Sequence, residues 1–464
     1  MCNKKYLAAW LIGVNSVMVC AQSQETSSLL DGLSQEAKDG GSISLFADAR
    51  YTDNVAKKDT DKQTDLIQTY GVDLSYLKNT RAVNAKANYR LKNTGYRDSS
   101  FSDEVWLSGA SQLIISTTPE RYSWFARHQQ SARQVNFLQA DTPDNRDERS
   151  TFITGPDVNL QISPVDTLSL QARSISTRFD KSTDNDSDRN TGSIRLSHSL
   201  NSQHKIALVG SYSDVDFELA QNDYRNKTIG IELSGVYRSS FYQLSAGNSS
   251  LERRNGLETD DGYLRALLSL NQDNGQWLLS YSREITDSSI GLSLSTLGDA
   301  NPFNNTQGVT GEDLDGDLDL DGGAGDGDFR ISDVIYRTRM QASYTRKVPN
   351  SRVGMSLRVL QNENDYEQLL ADTRSLSGVM NLHYDMAENL RWFLNLEYRR
   401  TDFIDTPGIG EDEIEQTKLG FHYDVGEALR ISFDINYETR DNQYISSREY
   451  DAFGSTLYLN YRWR

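Results

Sequence analysis

One pattern limits what this chain can fold into. Apolar and polar residues alternate with period two, and the alternation recurs from about residue 42 to the C-terminus. Val83, Ala85, Ala87, Tyr89 and Leu91 alternate with Asn84, Lys86, Asn88 and Arg90. Leu390, Trp392, Leu394, Leu396 and Tyr398 repeat the pattern, as do Leu429, Ile431, Phe433, Ile435 and Tyr437. Period-two alternation is the signature of a strand with one apolar face. Segments of about 10 residues with this pattern fit tilted membrane strands. The spacing predicts an all-β fold, a transmembrane antiparallel up-and-down β-barrel of about 20 strands, range 16–20.

The links between segments support the same fold. Short links such as Lys78-Asn79-Thr80 and Val425-Gly426-Glu427 alternate with long ones near 52–65, 131–149, 179–190, 287–332 and 402–413. Outer-membrane barrels pair short periplasmic turns with long extracellular loops. Tyr51, Tyr237, Tyr398, Tyr437, Tyr461 and Trp463 stand near segment ends, where aromatic girdles form. A soluble β-sandwich chain would give short strands too, but needs neither feature. An open sheet edge in lipid leaves costly unpaired backbone groups, so the first strand must pair with the last.

Composition now has a meaning. Only 37% of the 464 residues are hydrophobic, low for a soluble chain of this length. A barrel needs one apolar residue in two, and only over the height of the bilayer. The net charge of −18 disfavours nucleic acid as a partner, since phosphate binding needs clustered Lys and Arg. No segment after residue 21 holds 18 consecutive apolar residues, so no membrane-spanning helix is expected.

Residues 1–21 read as a signal peptide: Lys4 and Lys5, an apolar stretch from Leu7 to Val19, and Val19-Cys20-Ala21 before a cleavage point at Gln22. A lipoprotein reading would keep Cys20, but Val19 is a poor residue before a lipidated cysteine. Residues 22–41 are expected to form a short periplasmic leader, and 42–464 the barrel. That leader is too short for a transporter plug domain. The protein is expected in the outer membrane of a Gram-negative bacterium, in contact with lipopolysaccharide and, during biogenesis, with the barrel-assembly machinery.

The polar phase of the strands is rich in arginine. Arg90, Arg127, Arg173, Arg195, Arg265, Arg337, Arg339, Arg358, Arg391, Arg399, Arg430 and Arg462 fall on it, with Arg50 and Lys86. Asp48, Asp73, Glu232, Glu397, Asp434 and Glu438 accompany them, and most of the acid is expected in the loops. A lumen lined with cations favours anionic solutes. A salt-bridge network bracing the wall would use the same residues.

The long loop 287–332 is strongly acidic. Asp317, Asp319, Asp321, Asp326, Asp328 and Asp333 sit among glycines at alternating positions. Asp at alternate positions followed by Gly can supply oxygens to Ca²⁺. Neither partial frame of a calcium loop is complete, and a solvated acidic loop is the competing reading. No other cofactor is expected. The 5 histidines, His128, His198, His204, His383 and His422, show no metal spacing, and no nucleophile elbow or phosphate loop appears. The chain is therefore not expected to be an enzyme.

Tyr51-Thr52-Asp53-Asn54-Val55 resembles the Tyr-Thr-Asp-Asn element near the first hairpin of the β-barrel porin type found with exopolysaccharide export and PEP-CTERM sorting systems. The layout of signal peptide, short leader and porin-sized barrel is similar to that family over the whole mature chain. The resemblance implies a channel that passes or anchors secreted polysaccharide at the outer membrane. The alternative is a non-conducting surface protein whose acidic loops bind calcium or partners.

Overall fold

The computed structural model describes residues 40–98, 100–118, 121–135, 139–219, 222–254, 256–272, 274–287, 334–346, 351–366, 372–404, 410–445 and 448–463. The segment expected as signal peptide, most of the expected leader and the acidic stretch with Asp317, Asp319, Asp321, Asp326, Asp328 and Asp333 lie outside them.

Twenty strands form one sheet. In chain order they are β1 Gly40–Thr52, β2 Asp65–Asn79, β3 Val83–Tyr96, β4 Glu104–Thr118, β5 Tyr122–Gln134, β6 Arg146–Gln161 and β7 Asp166–Phe179. Next come β8 Ser187–Ser199, β9 His204–Phe217, β10 Tyr224–Tyr237, β11 Ser240–Arg253, β12 Glu258–Gln272 and β13 Gly275–Asp287. The last are β14 Val334–Arg346, β15 Val353–Tyr366, β16 Thr373–Ala387, β17 Leu390–Phe403, β18 Glu411–Val425, β19 Leu429–Asn442 and β20 Tyr450–Trp463. Each strand pairs antiparallel with its sequence neighbours. β1 pairs with β20 from Ile43↔Trp463 to Thr52↔Gly454, which closes the barrel. Closure leaves no unpaired edge, as the bilayer requires.

β1 begins at Gly40, inside the segment expected as leader. Gly40 and Gly41 carry no side chain, so the alternation could not be read through them.

Directly paired residues share a face of the sheet. Leu394 and Leu396 share the outer face with Leu382, Leu419, Phe433 and Leu457. Tyr76, Trp124, Trp277, Tyr384, Trp392, Tyr423, Tyr461 and Trp463 are exposed near the short-link ends of this face. Tyr51, Tyr437 and Phe453 are exposed near the long-link ends. The apolar band between these two sets is the lipid-facing surface.

Pairing is irregular at Asp385/Ala387, at Ser116/Thr118 and in the β6–β7 ladder. The β6–β7 ladder skips Gly155 and Pro156, running from Thr154↔Ser174 to Asp157↔Gln171. Pro156 has no N–H to give. A Cβ on Gly155 would lie 1.9 Å from Ala172 O, so only glycine lets β7 approach here. Arg173 Nη1 donates to Pro156 O at 3.0 Å and takes up the carbonyl.

The acid, expected mostly in the loops, extends onto the strands as well. The strands are 13 to 16 residues long. A tilted strand needs about 10 to cross, so the long-link ends project past the outer aromatics. Their outward phase carries self-neutralising pairs: Arg178–Asp188 at 2.8 Å, Arg374–Glu363 at 2.6 Å and Arg400–Glu411 at 2.6 Å.

Candidate functional site: the lumen wall and its mouth

The face opposite the apolar band is polar. Pairing puts Arg90 beside Asp73, and Arg127 on the same face as Gln112 and Ile153. By the same parity the remaining predicted arginines, from Arg173 to Arg462, point inward with them. Lys92, Arg189, Lys205, Arg253, Lys418 and Arg440 share this phase. Sequence reading passed over these, because each falls toward the end of a segment or beside a break in the alternation.

Most of these arginines are anchored to the wall. Arg90 is 1% exposed; its Nε and Nη2 bind Asp73 at 2.6 and 2.9 Å, and its guanidinium lies 4.5 Å from the Phe46 ring centre. Arg173 reaches Asp157 at 2.5 Å and stacks on Phe125 at 4.9 Å. Arg195 grips Glu232 through both carboxylate oxygens. Arg265 meets Glu284 at 3.2 Å. Arg391 binds Asp385 at 2.5 Å and Arg430 binds Asp424 at 2.8 Å, each across a short turn. Arg337 donates to Asn364 at 3.1 Å, and Arg127 to Gln129 at 2.8 Å. Arg358 and Arg399 act electrostatically on Glu397. Arg462 lies beside Asn460 and opposite Ser44. Among the described residues, Arg339 has no ion pair. The two sequence-level readings thus coexist: the arginines brace the wall, and cations still exceed carboxylates on the inward phase.

Inward apolar residues form a second feature. Phe125, Ile153 and Ile175 make a buried cluster with Ile114 against it. They stand on the phase that alternation reserves for polar residues, so the pattern carried no signal for them.

The long-link mouth is narrowed by two inward-folded segments. The first follows β1 and contains the Asp53-Asn54 element. Asn54, 1% exposed, donates through Nδ2 to Lys58 O at 2.7 Å and to Asp451 O at 2.8 Å. Asp53 Oδ1 accepts from Phe453 N at 2.7 Å. The element therefore seals the first hairpin onto β20. Lys57 then reaches Glu438 on the inner face of β19 at 2.9 Å. Burial disfavours the Lys57 charge, but the fields of Glu438, Tyr450 and Asp141 outweigh it and raise its pKa above the ordinary lysine value.

The second segment joins β5 to β6. It is held by Val135 N donating to Asn145 O at 2.7 Å and by an Arg146–Asp141 pair at 2.8 Å. Its Gln139 O accepts from Arg440 Nη1 at 3.1 Å. β1–β4 and β20 lie between β5 and β19 around the ring, so this contact crosses the mouth. Arg440 is 3% exposed and holds Asp412 through Nε and Nη2 at 2.9 and 2.7 Å.

Among the described residues no cluster of His, Cys, Asp and Glu is arranged to hold a metal ion. The predicted calcium residues are outside that set.

A closed up-and-down barrel with a lipid-facing apolar band, aromatic borders and a polar bore is the architecture of outer-membrane porins and transporters. No protein-family model matches the chain, and no curated protein matches it in sequence. Solved structures of similar shape include the FrpB iron transporter from Neisseria meningitidis (F5-1 variant), at 8% identity over 94% of this chain and 84% of that one, TM-score 0.47. The siderophore receptor PirA from Pseudomonas aeruginosa is similar at 11% identity over 93% and 81%, TM-score 0.46. OccK2 (OpdF) from Pseudomonas aeruginosa is similar at 10% identity over 91% and 98%, TM-score 0.39.

Proposed function

We propose that this protein is a porin-like channel for anionic solutes, secreted acidic polysaccharide among them. The carrying observation is the segregation of charge. The inward phase has an excess of Arg and Lys, while carboxylates gather on the outward rim and the long links. A cation-lined bore lowers the cost of an anion leaving water and raises that of a cation. The two inward-folded segments would set an upper size limit at the mouth. The Asp53-Asn54 element and its family resemblance favour a polysaccharide over a small ion as the physiological cargo.

Planar-bilayer recording across a KCl gradient tests this. The wild type should conduct with anion selectivity. The double variant R339E/R358E should shift the reversal potential toward cations while leaving the barrel folded. Cation selectivity in the wild type, or no conductance, would overturn the channel reading. The polysaccharide cargo has a separate test: deletion of the gene should leave polysaccharide trapped in the periplasm.

A further inference from the structure

The lipid-facing wall of β3–β6 carries a chain of hydrogen-bonded polar side chains. Ser150 Oγ lies 3.0 Å from His128 Nε2. His128 Nδ1 lies 2.7 Å from the Tyr89 hydroxyl, and the Tyr89 hydroxyl donates to Ser111 Oγ at 3.0 Å. The Tyr89 and His128 rings are stacked, with centroids 5.9 Å apart. All four residues are on the outward phase, with Leu113, Trp124 and Phe152 around them. Polar groups on such a wall are costly and call for a reason.

The order of donors determines the tautomer. A tyrosine hydroxyl has one proton, and here it goes to Ser111. The Tyr89 oxygen must then accept from His128 Nδ1–H. That leaves Nε2 bare, so it accepts the Ser150 proton. A hydroxyl nucleophile, an imidazole base and a third group orienting that base are the parts of an activated serine.

Two neighbouring features fit this arrangement. A groove of about 340 Å³ runs beside His128 and Ser111, lined by Tyr76, Ala85, Ala87, Leu113, Ala126 and Phe152. It extends from the His128 level toward the short-link ends of β2 and β3, the direction in which an outer-leaflet acyl chain hangs when long links face outward. Gln130 stands directly opposite Ser150 in the β5–β6 register. One N–H of its amide is on Glu148 at 2.7 Å, and the other is available to an oxyanion.

We propose that Ser150, with His128 as base and Gln130 as oxyanion donor, cleaves an acyl ester of an outer-leaflet lipid. Ser150 Oγ bonds to the ester carbonyl carbon while its proton passes to His128 Nε2. The carbon–alkoxy bond then breaks, and His128 returns that proton to the leaving alkoxide. The acyl group remains on Ser150. Water adds to the acyl carbon and gives a proton to His128. The fatty acid departs as the proton goes back to Ser150 Oγ. Tyr89 touches no reacting atom and is a positioning residue for the His128 ring.

The test uses the full chain purified in detergent micelles, with 4-nitrophenyl palmitate and a fluorophosphonate probe. The wild type should hydrolyse the ester and carry the probe on Ser150, located by peptide mass spectrometry. S150A should lose both signals. H128N should lose about a hundredfold or more in rate, the scale of general-base catalysis. Y89F should lower kcat and change the pH–rate profile without moving KM. A87F, which fills the groove, should slow the palmitate ester and spare the acetate ester. Heat-modifiable gel mobility reports that each variant is folded. A folded wild type with no probe on Ser150 and no hydrolysis above S150A would overturn the proposal. Equal effects of A87F on both esters would overturn the acyl-groove assignment. Conductance of S150A should equal that of the wild type, which separates this site from the channel.

Discussion

Replacing Leu396 by Arg should lower the unfolding free energy by about 2–4 kcal/mol, the cost of an arginine on the lipid face near mid-membrane. Leu396 lies on the outer face of β17 between Trp392 and Tyr398, with Leu457 and Phe433 on the same face of nearby strands. The guanidinium would have to reach an interface or draw water into the bilayer. Asn395 is its chain neighbour and points the opposite way, on the inner face with Lys418 and Asn381. Asn395→Arg should therefore cost little, because the inner face is polar. Reversible urea unfolding in phospholipid vesicles, followed by tryptophan fluorescence, reads both. Equal costs for the two variants would mean that the faces are assigned wrongly.

The second large effect belongs to Arg440. Its buried pair with Asp412 also holds the β5–β6 segment across the mouth through Gln139. Removing one partner of a buried pair strands the other charge, which costs about 3–5 kcal/mol. Arg440→Ala should show that loss in the same unfolding assay. It should also raise conductance, since the segment loses its far anchor. Arg440→Ala with Asp412→Asn should recover part of the stability, because no charge is then stranded, but not the narrow mouth. A single variant with unchanged stability and conductance would remove this pair from any role in shaping the mouth.

Much of the barrel could be read from residues alone. Leu394, Leu396 and their partners declare an apolar face at period two, and the alternation recurs often enough to give the strand number. The inward phase of the arginines follows from the same parity: once Leu429 and Ile431 face lipid, Arg430 must face the bore. Strand ends were harder. Charged residues such as Asp188, Asp214 and Glu363 at the outer ends look like loop, because a strand beyond the bilayer has no reason to keep an apolar face.

The candidate sites divide along the same line. Asp424 and Arg430 are six apart across a short turn, close enough in sequence for their pairing to be foreseen. Gln139 and Arg440 are 301 residues apart, and nothing in their local sequence announces a contact. Phe125, Ile153 and Ile175 break the alternation singly and become a cluster only when three strands meet. The same holds for Tyr89, His128 and Ser150. As separate residues they fit no local catalytic motif, and Tyr89 reads simply as one of the apolar set of its strand.

Fold class, approximate strand number and the lipid-facing side of each strand are legible in the residues alone. Those depend on period and solvent preference, which are local properties of the chain. Which arginine pairs with which carboxylate, the contact of the β5–β6 segment with Arg440, and the meeting of a serine, a histidine and a tyrosine from three strands come only from the assembled barrel. Those depend on register and on the closure of β1 against β20, and register is a relation between distant segments that no single segment encodes.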